Sequence, residues 1–375
     1  MKLSIRKNNL PQVRHTKYLT SLEKQVSQIF LKVHRELTLE ILREVKGSLL
    51  EKSNRLEYES LAKADGSILK RWIKDVPGVD PGLLDTIERV ISKYLGVLKF
   101  VMIGRAAGKD ARKDAKALLG DKTPPGIMLG AYLDAVDTER QFYRLVYQKE
   151  PPLVPQVVIQ KSFEIIEKQV GRQINVSLDS YKNRLIELVE NALHQTRLDT
   201  VFNVLDHAHG SSLDGTKQEV IDMAVEDGTA KMDRKALAEE LRALSKKAQE
   251  TLDRSVRVNL GTVSAVGAHQ TMVQIYGAES PNIKAALINV QDGQCCDHCE
   301  RLSRNRDGSV RIYELSAFGP AGSNNYKKRA EWVLCIPPLH VNCRCTLVHI
   351  PRGFGIDDFG SLYVKDSEGD PNEQK

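Results

Sequence analysis

Cysteine is absent from the first 294 residues of this 375-residue chain. All six cysteines lie between Cys295 and Cys345, in two groups with Cys335 between them. The groups are Cys295-Cys296-Asp297-His298-Cys299 and His340-Val341-Asn342-Cys343-Arg344-Cys345. Cysteine with this distribution indicates one local site rather than general filling of a core.

A long hydrophobic run is also missing. The most apolar stretch, residues 95–103, is too short to cross a bilayer, and residues 1–7 lack the apolar core of a signal peptide. We therefore expect synthesis in the cytosol and no membrane partner. Thiols made in that reducing compartment stay free to bind metal, so disulfides are the less favoured interpretation.

The composition has no bias that would exclude a globular protein. Hydrophobic residues make up 41% and charged residues 28% of the chain, which argues against wholesale disorder. The length predicts two or three domains. We expect a helical N-terminal region, a long-helix middle region, a β-rich Cys/His module and a flexible polar tail, at residues 1–150, 151–279, 280–351 and 352–375.

Apolar residues recur at helical spacing over much of the first 280 residues. The clearest stripe lies within residues 16–53 and is formed by Leu19, Leu22, Val26, Ile29, Val33 and Leu37. It predicts an amphipathic helix that packs within the chain, with an inter-subunit coiled coil as the alternative. Further helices are predicted at residues 83–100, 127–147, 157–196 and 232–276, the last with a possible break at Gly261 or Gly267. Residues 151–155, rich in proline, predict a linker.

The pattern changes after Ser280-Pro281. Short runs at residues 286–290, 332–336 and 346–350 predict three strands, and residues 301–329 predict an exposed excursion between strands. Together with the preceding helices, these strands predict an α+β fold, rich in long helices, with a small β-rich Cys/His module near the C-terminus.

The two cysteine groups predict a structural zinc site. A Cys-x2-Cys turn followed by a compact His/Cys cluster supplies the thiolate and imidazole ligands of tetrahedral zinc. Cys296 and Cys299 are two ligands, and two more come from His340, Cys343 and Cys345. The alternative is a set of reduced or disulfide-bonded cysteines. Residues expected beside the site rather than in it are Cys295 as a bystander, Cys335 as a buried small hydrophobe and His298 as a neighbour of the ligands.

Motifs of metal or nucleotide catalysis are not recognisable. The chain has no His-Glu-x-x-His sequence, and Gly104-Arg105-Ala106-Ala107-Gly108-Lys109-Asp110 has the wrong spacing for a phosphate loop. Asp206-His207-Ala208-His209 superficially resembles a hydrolase metal pair, but we expect it to lie on a loop without the preceding strand that such enzymes use. We therefore predict no enzymatic activity, and a metal-dependent hydrolase is the least favoured alternative.

The segment Pro337-Pro338-Leu339-His340-Val341-Asn342-Cys343-Arg344-Cys345, downstream of Cys296-Asp297-His298-Cys299, resembles the signature of the phage Mu F-like head morphogenesis family. The resemblance is specific over residues 257–351 and architectural elsewhere. Three features depart from the family pattern: Val341 stands in place of a proline, no tryptophan precedes the first cysteines, and the 301–329 insert is long.

That resemblance implies a minor capsid protein of the phage head, which associates with the portal protein and other capsid proteins and contacts packaged DNA in some members. It also implies a location inside the head, and in the host cytoplasm during assembly. The charge distribution agrees with a DNA contact, because residues 1–50 carry ten Lys or Arg against four Glu, and residues 301–350 carry eight against three acidic residues. The alternative is a zinc-ribbon nucleic-acid-binding protein, and solvated helix faces would also explain the charges.

Overall fold

Long α-helices and a few short antiparallel strands form the chain, which confirms the predicted helix-rich α+β class. The computed structural model describes residues 11–53, 81–120, 126–210, 234–289, 296–324, 327–340, 343, 345–357 and 359–365. The helices are α1 (Pro11–Ser53), α2 (Pro81–Ile103), α3 (Lys109–Leu119), α4 (Ile127–Tyr147), α5 (Gln156–Gly210), α6 (Arg234–Tyr276) and the short α7 (Asp297–Ser303). Within the described residues, no helix is both long and apolar enough to cross a membrane.

Every strand among the described residues lies C-terminal to α6. They are β1 (Ile283–Ile288), β2 (Ile312–Glu314), β3 (Thr346–Pro351), β4 (Phe354–Ile356) and β5 (Leu362–Val364). The first three form an antiparallel sheet in the order β2-β1-β3, and the last two form a separate antiparallel hairpin. In the three-stranded sheet, Ile288 pairs with Thr346 and Ala285 pairs with His349.

Packing within the chain explains the apolar stripe of α1. Leu22, Val26 and Val33 are buried in one hydrophobic core with residues of α2, α4, α5 and α6, and Leu19 and Ile29 pack against that core. The intra-chain interpretation of this stripe is therefore confirmed. Because burial against other helices uses the stripe, it is not an exposed surface for another protein.

Helix α6 lies at the centre of the helical region, in contact with α1, α4 and α5. It continues through Gly261 and Gly267, so the possible break predicted there is wrong. Gly267 serves close packing instead, because a Cβ at this position would lie 2.9 Å from the carbonyl oxygen of Tyr132 on α4. Gly267 therefore allows α4 to approach α6 closely and does not mark a kink.

The β-rich region differs from the prediction in several places. The predicted strand at residues 346–350 is confirmed, and β1 begins before the predicted residue 286, but residues 332–336 contain only an isolated bridge between Cys335 and Gly319. The expected exposed excursion at 301–329 includes β2 and the buried side chains of Ser303, Leu315, Phe318 and Asn324. The expected tail contains the β4–β5 hairpin, and residues 366–375 lie outside the described part.

The β-rich region packs directly against the helices. Ile283 and Ala285 of β1 belong to the same hydrophobic core as the helices, together with Leu315, Phe318 and Ile336. Phe318 contacts the imidazole of His269 on α6, with ring centroids 5.7 Å apart. A smaller cluster contains Leu287, on the same face of β1 as Ile283 and Ala285, together with Leu339 and the buried cysteines. The alternate residues Ala286 and Ile288 pack with Val310 and Ile350 in a third cluster on the opposite face.

Candidate metal centre

The Cys/His residues lie on two segments at the same end of the β1–β3 strand pair. Strand β1 ends at Ile288, which pairs with Thr346 at the beginning of β3. The chain after β1 leads to Cys296, whereas Cys345 immediately precedes β3. Antiparallel pairing therefore brings two segments together that are more than 40 residues apart in sequence.

The first segment presents two sulfurs at the start of α7. Cys296 has extended backbone and caps the helix, and its Sγ accepts a hydrogen bond from the backbone N–H of Cys299 at 3.4 Å. Cys299 lies one turn further on and is buried. A short turn of this kind directs both sulfurs to the same side, which is the geometry that the Cys-x2-Cys spacing predicts.

The second segment is a turn before β3. The backbone N–H of Cys343 donates to the carbonyl oxygen of His340 at 3.0 Å, and the N–H of Cys345 donates to Cys343 Sγ at 3.4 Å. Both cysteines are buried, whereas His340 is half-buried. Each segment thus contains one sulfur that accepts a backbone N–H bond, an interaction that stabilises a thiolate.

All five sequence-predicted ligand residues come together. His340 Nε2 lies 3.3 Å from Cys296 Sγ and 3.1 Å from Cys299 Sγ, and the sulfurs of Cys299 and Cys343 are 3.9 Å apart. The residues form two overlapping groups that share Cys299: Cys296, Cys299 and His340, and Cys299, Cys343 and Cys345, with ligand atoms in each group within 4.8 Å of one another. The groups could hold a metal ion, as the sequence predicts.

These separations approach those of a tetrahedral site. With Zn–S bonds of about 2.3 Å, two thiolate sulfurs lie about 3.8 Å apart, and a sulfur and an imidazole nitrogen lie about 3.5 Å apart. The 3.9 Å between Cys299 and Cys343 matches the first value, and the Cys–His separations are a few tenths of an ångström shorter than the second. Within each group the separations are therefore close to those of ligands around one metal ion, and the two groups have only Cys299 in common.

The thiols interact strongly with one another. Burial raises the pKa of Cys296, but the N–H bond from Cys299 and the contact with His340 outweigh it, so that the net pKa is lowered. Hydrogen bonds from Cys299 and Cys345 lower the pKa of Cys343, and the same interaction with Cys343 raises the pKa of Cys299. Negative charge is thus favoured on at least two of the sulfurs, and a bound cation would favour it on all of its thiolate ligands.

Aromatic rings cover the outer side of the site. Trp332 stacks on His340 with ring centroids 4.9 Å apart and an interplanar angle of 10°. His298 contacts the Trp332 ring edge-on at 5.3 Å, and Arg301 contacts His298 Nδ1 at 3.3 Å. His298 is thus a neighbour of His340 through Trp332. Sequence reasoning missed the role of Trp332, which was assigned to a strand.

Asn324 organises the loop that carries Trp332. Its side-chain amide donates to the carbonyl oxygen of Val333 and accepts from the N–H of Val333, both at 2.8 Å. The same amide nitrogen lies 3.6 Å from the sulfur of Cys335, which is fully buried beside the other cysteines. The prediction of Cys335 as a buried small side chain is confirmed. Cys295 lies outside the described residues.

The backbone is described for two other segments that the sequence offers as candidates. Residues 206–209 belong to the helical backbone at the end of α5, so the predicted loop is wrong, because the helix continues to Gly210. The segment from Gly104 to Asp110 forms a 3₁₀ turn followed by the start of α3.

No family model, curated protein or solved structure matches the chain. Metal binding is therefore supported by the convergence of the cysteines and His340 in the structure.

Proposed function

We propose that the chain is a minor head protein of a phage or prophage, of the Mu F-like type, which acts in head morphogenesis together with the portal protein and other capsid proteins. The observation that carries this proposal is the convergence of both halves of the signature, Cys-x2-Cys and Pro-Pro-x-His-x-x-Cys-x-Cys, in one cluster. A sequence resemblance without structural meaning would not require residues separated by 40 positions to meet. The protein acts in the host cytoplasm during assembly and inside the head afterwards.

In this proposal the Cys/His cluster binds one structural zinc ion. Three thiolates and one imidazole complete a tetrahedral shell, which leaves no coordination position for a substrate. The zinc joins α7 to the turn before β3, within the buried cluster that contains Leu287, Leu339 and the cysteines. The proposed role is therefore assembly rather than catalysis.

Cys296, Cys299, His340 and Cys343 are the proposed ligands. Cys296 and Cys343 each accept a backbone N–H bond, as metal thiolates commonly do, and Cys343 lies at coordination distance from the Cys299 sulfur. Cys345 contributes the N–H that Cys343 accepts. The Cys345 thiol would be a fifth ligand, and four-coordinate zinc has no position for it.

Zinc content and the choice of ligands can be tested together. Protein purified in reducing buffer without chelator is expected to contain about one zinc per chain, and Cys296→Ser and Cys343→Ser to lose it. The matched control is Cys345→Ser, another buried thiol of the same cluster, which is expected to retain zinc. Metal-free wild-type protein with ordered, reduced cysteines would contradict the zinc site, and zinc loss confined to Cys345→Ser would contradict the ligand assignment.

Contact with DNA is the second part of the proposed role. The module carries the solvent-exposed cations Arg306, Arg311, Lys327 and Lys328. Arg329 lies 3.9 Å from Asp297, a weak pairing that leaves it available. Such a surface fits phosphate groups without reading base sequence, because none of these residues belongs to a helix that a DNA groove would accept.

Portal association is the direct test of the function. The portal protein encoded in the same genome is co-expressed with the tagged chain, and we expect the two to co-purify. A matched experiment uses Cys299→Ser, which removes the sulfur shared by both Cys/His groups; we expect weaker capture if the module takes part in the contact. Absence of the portal protein from wild-type eluates would contradict the proposal.

A further inference from the structure

A second group of ligand-type side chains lies where β3 packs against the helices. It consists of Glu139 on α4, His269 on α6 and His349 on β3. All three residues are buried, with exposed fractions of 7%, 6% and 3%. The three residues are far apart in the sequence and follow no motif.

Several buried polar atoms of this group have no hydrogen-bond partner. Glu139 Oε2, His269 Nδ1 and both ring nitrogens of His349 are buried and have no hydrogen-bond partner. Buried side-chain nitrogen and oxygen atoms in native proteins are nearly always satisfied by protein groups, ordered water or an ion. Four such atoms on three residues in contact therefore point to a bound species between them.

The separations favour an ion. His349 Nδ1 and Glu139 Oε1 are 3.6 Å apart, which is too far for a good hydrogen bond. It is close to the distance of about 3.3 Å between nitrogen and oxygen ligands of one tetrahedral metal. The rings of His269 and His349 lie 5.9 Å apart, compared with about 5 Å for two imidazoles on one metal. The ligand atoms of the three residues do not all lie within 4.8 Å of one another, so the side chains must move closer together to bind an ion.

We propose that Glu139, His269 and His349 bind one divalent transition-metal ion. Two imidazoles and a carboxylate are ligands of zinc, iron(II) and manganese(II), and they differ from the thiolates of the Cys/His centre. The ion joins α4, α6 and β3, and therefore fastens the β-rich region to the helical core. This inference does not depend on the proposed function in the phage head.

Cobalt(II) is a suitable probe because it separates the two kinds of site. The full chain is produced in minimal medium with CoCl₂ as the added transition metal, and cobalt per chain is determined by elemental analysis. Thiolate ligation is measured separately from the sulfur-to-cobalt charge-transfer absorption. We expect one cobalt in excess of the thiolate-bound metal in the wild-type chain.

Two variants test proposed ligands, and a third is their control. Glu139→Gln and His349→Asn are each expected to lose this one equivalent while they keep the charge-transfer band. His34→Gln is the matched control, because His34 is equally buried but lies against Tyr181 on another part of the core; it is expected to keep both. Wild-type protein whose cobalt is all thiolate-bound would overturn the site, as would Glu139→Gln and His349→Asn variants with wild-type cobalt content. If a variant does not fold and therefore loses the charge-transfer band, the wild-type chain alone tests the site, because it must contain one cobalt beyond the thiolate-bound metal.

Discussion

Trp332 supports the candidate metal centre by holding the His340 imidazole in place. It lies face-on against His340, and its indole N–H donates to the carbonyl oxygen of Lys327 at 3.1 Å, which fixes the ring. The imidazole of a ligand that is held in this way loses less rotational freedom when it binds metal. Trp332 is therefore a positioning residue for His340.

Trp332→Ala is expected to weaken zinc binding about tenfold, because His340 loses the ring that orients it. Competition with a chromophoric chelator measures the affinity. Trp332→Phe preserves a stacking surface and is expected to stay within about threefold of the wild type. An alanine variant with unchanged affinity would show that the backbone alone orients His340.

His34 gives the stability of the helical core a dependence on pH. Burial lowers its pKa from 6.5 to about 4, and a hydrogen bond that the imidazole donates to the backbone of Leu241 opposes this shift. The unfolded chain therefore binds a proton at this residue between those pH values, and the folded chain does not. Stability that is present at neutral pH is lost as pH falls below 6.5, with a further loss down to about pH 4.

Protonation of His34 in the unfolded chain is expected to lower the free energy of unfolding by about 1.4 kcal/mol for each pH unit below 6.5, down to about pH 4. Denaturant unfolding at several pH values measures it, with His34→Gln as the comparison. The difference in unfolding free energy between the two proteins is expected to shrink as the pH is lowered from 7 to 4.5. A constant difference would mean that His34 does not titrate on unfolding.

At the residue scale, the sequence was informative where chemistry and spacing coincide. Cys296, Cys299 and His340 were predicted because thiols and imidazoles in short turns have few other uses. Trp332 and Asn324 were not, because stacking on a ligand and clamping of a loop depend on folded geometry. Glu139, His269 and His349 come from three different elements, and no local pattern connects them.

At the scale of elements, the periodicity of apolar residues was sufficient to predict the long helices. The stripe of α1 and the limits of α4 follow from apolar spacing alone. Continuation of α5 through residues 206–209 was not predicted, since polar and glycine-rich composition suggested a loop. Strand β2, with three residues, is too short to give an alternating pattern, and a stretch with a single bridge at Cys335 was mistaken for a strand.

Packing between elements predicts that the helices and the β-rich region unfold together. Phe318 lies in the insert between strands, yet it is buried against His269 of α6 and Tyr313 of β2. Phe318→Ala is expected to destabilise the chain by about 3 kcal/mol. Far-ultraviolet circular dichroism, which reports mainly the helices, is expected to show the full decrease.

The control for this experiment is Phe359→Ala, because Phe359 is 78% exposed and its loss is expected to change stability by less than about 0.5 kcal/mol. A helical signal that melts as in the wild type after Phe318→Ala would mean that the two regions fold independently, as the division of the chain near residue 280 suggests.

At the scale of the molecule, the proposed partners require different forces. DNA contacts through exposed cations release counterions and are expected to be sequence-independent and strongly salt-dependent. Neutralising Arg306, Arg311, Lys327 and Lys328 together is expected to lower DNA affinity at least tenfold and leave portal capture unchanged. Electrophoretic mobility shifts over a salt series measure the first effect, and pull-downs measure the second.

The outcome also separates the proposed function from its alternative. A zinc-ribbon nucleic-acid-binding protein would lose its principal interaction in that variant and capture no portal protein. A minor head protein would retain the portal contact. DNA binding that stays constant from low to high salt would contradict the assignment of the cationic surface in either case.

The presence of the chain in assembled heads tests the central claim most directly. Procapsids are purified on density gradients from cells in which the phage or prophage is induced, and their proteins are quantified by mass spectrometry. We expect the chain to co-sediment with the portal protein in a few copies per particle, and the Cys299→Ser chain to be depleted. Procapsids that contain the portal protein but never this chain would contradict the account.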